Sequence, residues 1–242
     1  MKLIKLDAID STNEFLKGIS SNPNIENFTV VTAEIQTKGK GQMGSSWVSQ
    51  PGKNLIMSVL VGNFLMDKNK IFDVNIATAV SVIQALKTFN IPELSIKWPN
   101  DIMSYNKKIG GILIENSIKS NGTITSIIGL GLNVNQTDFQ HLPKASSLAV
   151  ICNTNFNKEE VLLKIMERLE NNIQFWDQNK DVLWQDFINL LFKKGIPMPF
   201  ADANQQKFMG IIQGVTNFGK LEILLEDDSI SNFDIKEVQM LY

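Results

Sequence analysis

Gly39-Lys40-Gly41-Gln42-Met43-Gly44-Ser45-Ser46-Trp47 constrains the fold of this chain more than any other stretch. It follows an apolar, β-branched run and matches G-x-G-x-x-G, the glycine pattern of dinucleotide-binding units. In such a unit the loop opens directly into a helix. Here it continues into Trp47-Val48-Ser49-Gln50-Pro51-Gly52, which is no helix start. The same residues approach the phosphate loop G-x-x-x-x-G-K-[ST], but Ser45 stands where that loop needs its lysine, and again no helix follows. Both readings are rejected. About 18 residues separate Gln36 from Leu55, far more than a hairpin connection uses, and loops of that length tend to be functional lids. Glycines let backbone N–H groups come close to a phosphate, and Lys38 and Lys40 add positive charge. The expectation is an anion-binding loop that orders on its ligand.

Around this loop the pattern is mixed α/β. Asp10-Ser11-Thr12-Asn13-Glu14 carries capping residues ahead of Phe15, Leu16 and Ile19, the signature of a helix start. Phe28–Ile35 and Asn54–Val61 read as strands. Ile71–Phe89 places Phe72, Ile76, Val80, Ile83 and Leu86 at helical spacing. Leu94–Trp98, Ile109–Glu115 and Ile124–Val134 read as further strands of one sheet, Glu159–Trp176 as a second helix and Val182–Phe192 as a third. Ile196-Pro197-Met198-Pro199 cannot continue a helix. Short strand-like runs follow at Lys207–Val215, Lys220–Leu225, Ser229–Asn232 and Glu237–Leu241, with Asn217-Phe218-Gly219 as a turn. The division expected is residues 1–192 for a main domain and 193–242 for a small all-β domain, too small to be independent of it.

Composition narrows the function classes. Of 242 residues 43% are hydrophobic and 20% charged, with a formal net charge of −2, so nothing draws the chain generally to nucleic acid or to anionic membrane, and an anion site must be built locally. Charges interrupt the first residues too often for a signal peptide, and no apolar run is long enough to span a bilayer. One cysteine, Cys152, excludes an internal disulfide and fits a reducing compartment. With a single histidine, His141, in an expected loop, the usual zinc cluster is excluded as well. The chain reads as cytoplasmic.

Two more glycine pairs matter. Lys97-Trp98-Pro99-Asn100-Asp101 ends a strand at Pro99, with Asn100 and Asp101 suited to a tight turn. Lys107-Lys108-Ile109-Gly110-Gly111 follows. Paired glycines in a strand suggest close approach of a ligand or another backbone, and a lysine beside that gap suits a phosphate; solvated lysines at a plain hairpin tip would need no such gap. In Gly129-Leu130-Gly131-Leu132-Asn133 the two glycines leave one strand face flat, and Asn133 falls on that face, where an amide can read an adenine edge; a bend in the sheet is the alternative.

Taken in order, Asp10-Ser11-Thr12-Asn13, Ala33-Glu34-x-Gln36, the glycine loop ending at Trp47, Lys97-Trp98-Pro99-Asn100-Asp101, Lys108-x-Gly110-Gly111-Ile112-Leu113, Gly129-x-Gly131-x-Asn133 and Ala145-Ser146-Ser147-Leu148 resemble the catalytic core of biotin protein ligases. The resemblance implies a class II synthetase-like mixed sheet backed by helices, followed by an SH3-like barrel. It implies biotin held by Ser11, Thr12, Asn13 and Gln36, with Lys40, Gly41, Gln42 and Gly111 closing around it. Lys108 would meet the reacting carboxylate and the α-phosphate, as the catalytic residue. Lys40, Gln42, Trp47, Asn100, Lys108 and Asn133 would form the nucleotide side. ATP and Mg²⁺ are the implied cofactors, with Mg²⁺ carried by the nucleotide near Asp101, which is also a candidate helper for the acceptor amine. The implied partner is a biotin carboxyl carrier protein, and a weak homodimer is allowed. The family loop is typically G-R-G-R-x-G. Here Lys40 and Gln42 stand in, so retention of an adenylate is weakened unless another group compensates. The chain begins almost at Ser-Thr-Asn, which implies the monofunctional type without a DNA-binding segment and no operator binding. The competing classes are a lipoate or octanoate ligase, which needs an apolar tunnel in place of the polar set, and a non-catalytic biotin sensor.

Overall fold

The computed structural model describes residues 1–22, 24–62, 64, 70–118, 123–139 and 142–242; His141 lies outside them. Seven strands form one mixed sheet: β1 (Lys2–Ile9), β2 (Thr29–Gln36), β3 (Leu55–Gly62), β4 (Leu94–Lys97), β5 (Asp101–Ser104), β6 (Lys107–Ile118) and β7 (Ile124–Leu132), in the order β1-β2-β3-β7-β6-β5-β4. β1 and β2 are parallel and the other neighbours antiparallel. Parallel pairing requires a crossover, and α1 (Thr12–Ile19) provides it. Two of these strands are not read in the sequence. β1 alternates charged and apolar residues at the sheet edge. β5 begins at Asp101, so the expected tight turn is confined to Trp98–Asn100, across a cis Trp98–Pro99 bond.

The central strands decide the layering. β3 is buried along nearly its whole length, so both of its faces must be covered. α1 covers one face by burying Leu16 against Val31, Leu60 and Ile127. On the other face lies α2 (Ile71–Lys87), whose Val74, Ile76, Ala77, Val80, Ile83 and Leu86 are inaccessible. α2 is apolar nearly all round because α4 (Lys158–Gln174) and α5 (Trp176–Asn189) enclose it; a short α3 (Leu148–Cys152) precedes them. Asn157 caps α4 by accepting from the Glu159 and Glu160 amides. α5 starts at once at Trp176, six residues earlier than its apolar spacing suggests, because the buried Trp176 ring packs edge-on against Phe64.

The last quarter forms a second, antiparallel sheet of β8 (Pro197–Asp202), β9 (Lys207–Val215), β10 (Leu221–Leu225), β11 (Ile230–Phe233) and β12 (Val238–Met240), in the order β11-β10-β9-β8-β12. β8 tolerates two prolines because the Pro199 carbonyl accepts from Leu241; the missing N–H therefore faces the β12 side and costs β9 nothing. Phe200, Ile212, Val215, Leu221 and Ile223 join the core of the first sheet. The backbone after α5 bonds to both sides of Ile96, through Ile96 N–H to Leu190 O (2.7 Å) and Phe192 N–H to Ile96 O (2.9 Å). The Trp98 indole donates to Gly219 O at 2.8 Å.

Gly219 sits at φ +83°, and a Cβ there would lie 2.4 Å from Phe72 Cδ2. Gly219→Ala combines a left-handed backbone with overpacking at the junction of the two sheets. It is expected to cost about 2–4 kcal/mol, read as a lower midpoint in urea unfolding.

Candidate functional site

The floor of the site is the flat strand face foreseen in the glycine pairs. Gly111 of β6 and Gly131 of β7 are directly opposite in register. Side chains from elsewhere occupy the room they leave. A Cβ on Gly131 would fall 2.3 Å from Trp47 Cε2, one on Gly111 3.4 Å from Trp47 Cζ3, and one on Gly129 2.4 Å from Asn13 Oδ1. The Trp47 indole and the Asn13 amide therefore lie against the backbone of the central sheet. Trp47 Nε1 is shielded from solvent and has no acceptor among the described residues. An orphaned buried donor costs about 1–3 kcal/mol and marks a place where a ligand acceptor would be stabilising.

A polar network fixes the wall above the floor. Ser11 caps α1, accepting from the Glu14 amide. Thr12 donates twice to Gln36 Oε1, through its backbone N–H at 2.8 Å and its hydroxyl at 2.9 Å. A backbone N–H can only donate, so the Gln36 amide has one permitted orientation, with its Nε2 hydrogens turned away from Thr12. Ser58 of β3, fully buried, lies 2.7 Å from Thr12 Oγ1 and 2.5 Å from Asn13 Oδ1. Asn13 Nδ2 in turn donates to Glu115 Oε2 at 2.9 Å, and Lys17 stands 3.8 Å from the other oxygen of Glu115. Ser58 and Glu115 are the members that the sequence reading missed. Each sits inside an apolar strand pattern with nothing in its neighbours to single it out.

The glycine loop is a small hairpin of its own. Gly41 N–H bonds to Ser45 O (2.7 Å) and Trp47 N–H to Gly39 O (2.9 Å), around a 3₁₀ turn at Gln42–Gly44. Two ion pairs tie its base to the first helix and the turn before it: Lys40 to Glu14 at 2.6 Å and Lys38 to Asp10 at 2.8 Å. The hydrogen bond from Lys40 holds the Glu14 carboxyl below the usual glutamate range, and those from Lys38 and then Thr37 do the same for Asp10.

Opposite the loop, Lys108 Nζ lies 2.6 Å from Asp101 Oδ1 and 5.7 Å from the centre of the Trp47 ring. Asp101 also lies 3.5 Å from Lys97 Nζ. The Lys108 backbone is clamped on both sides, its N–H donating to Lys144 O and its carbonyl accepting from Ser146 N–H. Asn133 braces that clamp, Nδ2 donating to Ser146 O at 3.0 Å.

Together these groups line a cleft of about 300 Å³, at the small end of the range for small-molecule sites. Ser11, Thr12, Asn13, Gln36, Lys40, Gly41, Gln42, Trp47, Asn100, Asp101, Lys108 and Gly111 all line it. Asn133 is not among them; its side chain is buried and its Nδ2 donates to Ser146 O. Asn100 spends its Nδ2 on Ile112 O at 2.6 Å. Ile235 and Lys236 reach the cleft from the second sheet, which the sequence reading did not foresee. Among the described residues no three His, Cys, Asp or Glu side chains cluster as a metal site. Cys152 is half-buried and burial pushes its thiol up, away from nucleophilic use.

The sequence profile of the biotin/lipoate A/B protein ligase family matches residues 6–133. A bifunctional ligase/repressor BirA of Bacillus spizizenii is 36% identical over 134 residues, 55% of this chain and 41% of that protein, so the chain spans about two fifths of that relative's length. A biotin–[acetyl-CoA-carboxylase] ligase of Mycobacterium tuberculosis is 26% identical over 87% of this chain and 79% of its own length. The solved structure of the Aquifex aeolicus biotin protein ligase, in complex with biotin and ATP, superposes with a TM-score of 0.79 at 28% identity, covering 99% of this chain and 98% of that one.

Two outcomes follow from the geometry. Gly131→Ala forces the Trp47 indole off the floor. Its tryptophan emission should shift to the red and binding of a cleft ligand should weaken at least tenfold, with little loss in melting temperature. The Glu14 carboxyl is depressed, so its tie to Lys40 is complete at neutral pH and is lost as pH falls through the depressed value. Glu14→Gln reproduces that loss at any pH, and limited trypsin digestion at pH 8 should cut after Lys40 several-fold faster than in the unaltered chain.

Proposed function

The chain belongs to the biotin/lipoate A/B protein ligase family, and from that premise we propose that it is an ATP-dependent ligase that forms biotinyl-5′-AMP and passes the biotin to a lysine of a biotin carboxyl carrier protein. One observation carries this reading: the Thr12–Gln36–Ser58–Asn13 network presents oriented polar groups beside the cleft that contains Lys108. A ureido ring offers one carbonyl acceptor and two N–H donors, and a polar wall of fixed orientation suits it. A lipoyl or octanoyl chain would gain nothing from such a wall and would have to desolvate it.

The biotin carboxylate is already ionised near neutral pH and needs no base. It attacks the α-phosphorus of ATP and pyrophosphate leaves. Lys108, Lys40 and the amides of the glycine loop offset the charge that gathers on the phosphoryl oxygens. Mg²⁺ commonly takes one or two carboxylates and completes its shell with phosphate oxygens and water. Asp101, the one carboxylate among the described residues that line the cleft, fits that role, and the ion would supply further neutralisation of the phosphates. In the second half-reaction the acceptor amine attacks the acyl carbon of the mixed anhydride and AMP leaves. The amine must arrive without its proton, and Asp101 in the cleft is the candidate to help remove it. Residues 1–192 carry this chemistry and 193–242 form the small β-domain. The finer assignment is a biotin–[acetyl-CoA-carboxylase] ligase working in the cytoplasm, where its nucleotide is made. Among the described residues no helix is long and apolar enough to cross a membrane.

The test is ATP–pyrophosphate exchange with biotin, lipoate and octanoate side by side. Exchange should depend on biotin, and Lys108→Ala should lower it about 10²–10³-fold, the usual loss on removing one transition-state donor. Exchange driven by lipoate or octanoate in place of biotin would overturn the substrate. Near-normal exchange in the variant would remove Lys108 from its role.

A further inference from the structure

We propose that Lys236, on the second sheet, is the charge that retains the acyl-adenylate, making good the cation that the glycine loop lacks at Gln42. The inference rests on the adenylate-forming reading above and adds a residue to it. Three lysines line the cleft. Lys40 is matched by Glu14 and Lys108 by Asp101, each at 2.6 Å. The Lys40–Glu14 pair is close to neutral as a unit, and the Lys108–Asp101–Lys97 trio keeps one net positive charge on side chains already tied to Asp101, while a bound adenylate carries one negative phosphate. Lys236 has no carboxylate partner among the described residues. Its Nζ donates only to Met43 O, 3.2 Å away at the tip of the loop and next to Gln42.

The local backbone also holds this side chain in place. Lys236 stands at φ +74° in a turn closed by Glu237 N–H to Asp234 O (3.0 Å) and by Asp234 N–H to Glu237 Oε2 (2.7 Å). A lysine in the left-handed region is unfavourable where glycine would be at ease. Such a position persists where the surrounding structure over-determines it, here through the closed turn. The two carboxylates of the turn are engaged elsewhere, Asp234 with Lys220 at 2.7 Å and Glu237 with the Asp234 amide, so the ammonium remains unmatched beside the cleft. A single contact then serves two ends. The hydrogen bond draws the loop tip toward the second sheet, and the charge stands over the anion that the loop covers.

The experiment preloads the full chain with biotinyl-5′-adenylate and follows its release into excess unlabelled adenylate. Lys236→Gln keeps a donor for Met43 O and removes the charge. Lys236→Gly removes both and relieves the backbone. Lys236→Arg keeps both. The expected result is release about tenfold faster from the Gln and Gly variants and near the original rate from Arg, with the melting temperature of Lys236→Gly unchanged or raised, so that misfolding is not the cause. Release from the unaltered chain should accelerate with salt, and release from Lys236→Gln should do so less steeply. Gln42→Arg added to Lys236→Gln should restore slow release. Release from Lys236→Gln at the original rate would overturn the charge role and leave a loop clamp. Failure of the unaltered chain to make or hold the adenylate would instead refute the ligase reading itself.

Discussion

The polarity of the cleft descends from one group that cannot be reversed, the backbone N–H of Thr12. It sits at the first turn of α1, where no helical partner exists for it. By donating to Gln36 Oε1 it dictates which end of that amide faces the ligand. The Thr12 hydroxyl, Ser58, Asn13 and Glu115 follow in a chain of hydrogen bonds that runs from the helix end across β3 to β6. Side-chain amides are otherwise free to flip. Here the helix terminus sets the first and the Glu115 carboxylate, which only accepts, sets the last. These side chains are therefore oriented without a ligand, and little rotamer freedom is left for them to lose.

The floor is built on the same economy. Three glycines remove every side chain from one patch of the central sheet, and residues distant in sequence fill the gap: Trp47 from the loop and Asn13 from α1. The sheet gives rigidity and the visitors give chemistry. Charge follows a similar division, since two of the cations that line the cleft are paired with carboxylates that hold them. Asp101 restrains Lys108 and Glu14 restrains Lys40.

Much of this was legible in the residues. Apolar periodicity located α1, α2, α4 and most strands, because in those segments burial and spacing agree. The glycine pairs pointed to a flat face, with a bend in the sheet as the alternative, and Trp47 and Asn13 lie against that face. What escaped notice has physical causes. β1 and β5 are edge or short strands whose charged residues hide the alternation, and β8 carries prolines that read as a break until the pairing direction is known. Ser58 and Glu115 look like ordinary strand residues, because their role depends on what α1 sets above them. Asn133 shares a strand face with the glycines by alternation, yet the chain leaves β7 at that point and turns its amide toward Ser146. Lys236 lies in the last turn of the second sheet, and no local pattern connects it with a loop 193 positions earlier.

The attachment of the second sheet has a mechanical consequence. The segment that leads into it from α5 grips β4 at Ile96 through backbone bonds of Leu190 and Phe192, and the Gly219 carbonyl of the second sheet holds the Trp98 indole, on either side of Lys97. Four residues along the chain from Lys97 stands Asp101, which shares its carboxylate between Lys97 and Lys108. Main-chain bonds and a packed ring transmit displacement with almost no slack. A displacement of the second sheet is thereby passed along β4 to the carboxylate that holds the Lys108 ammonium.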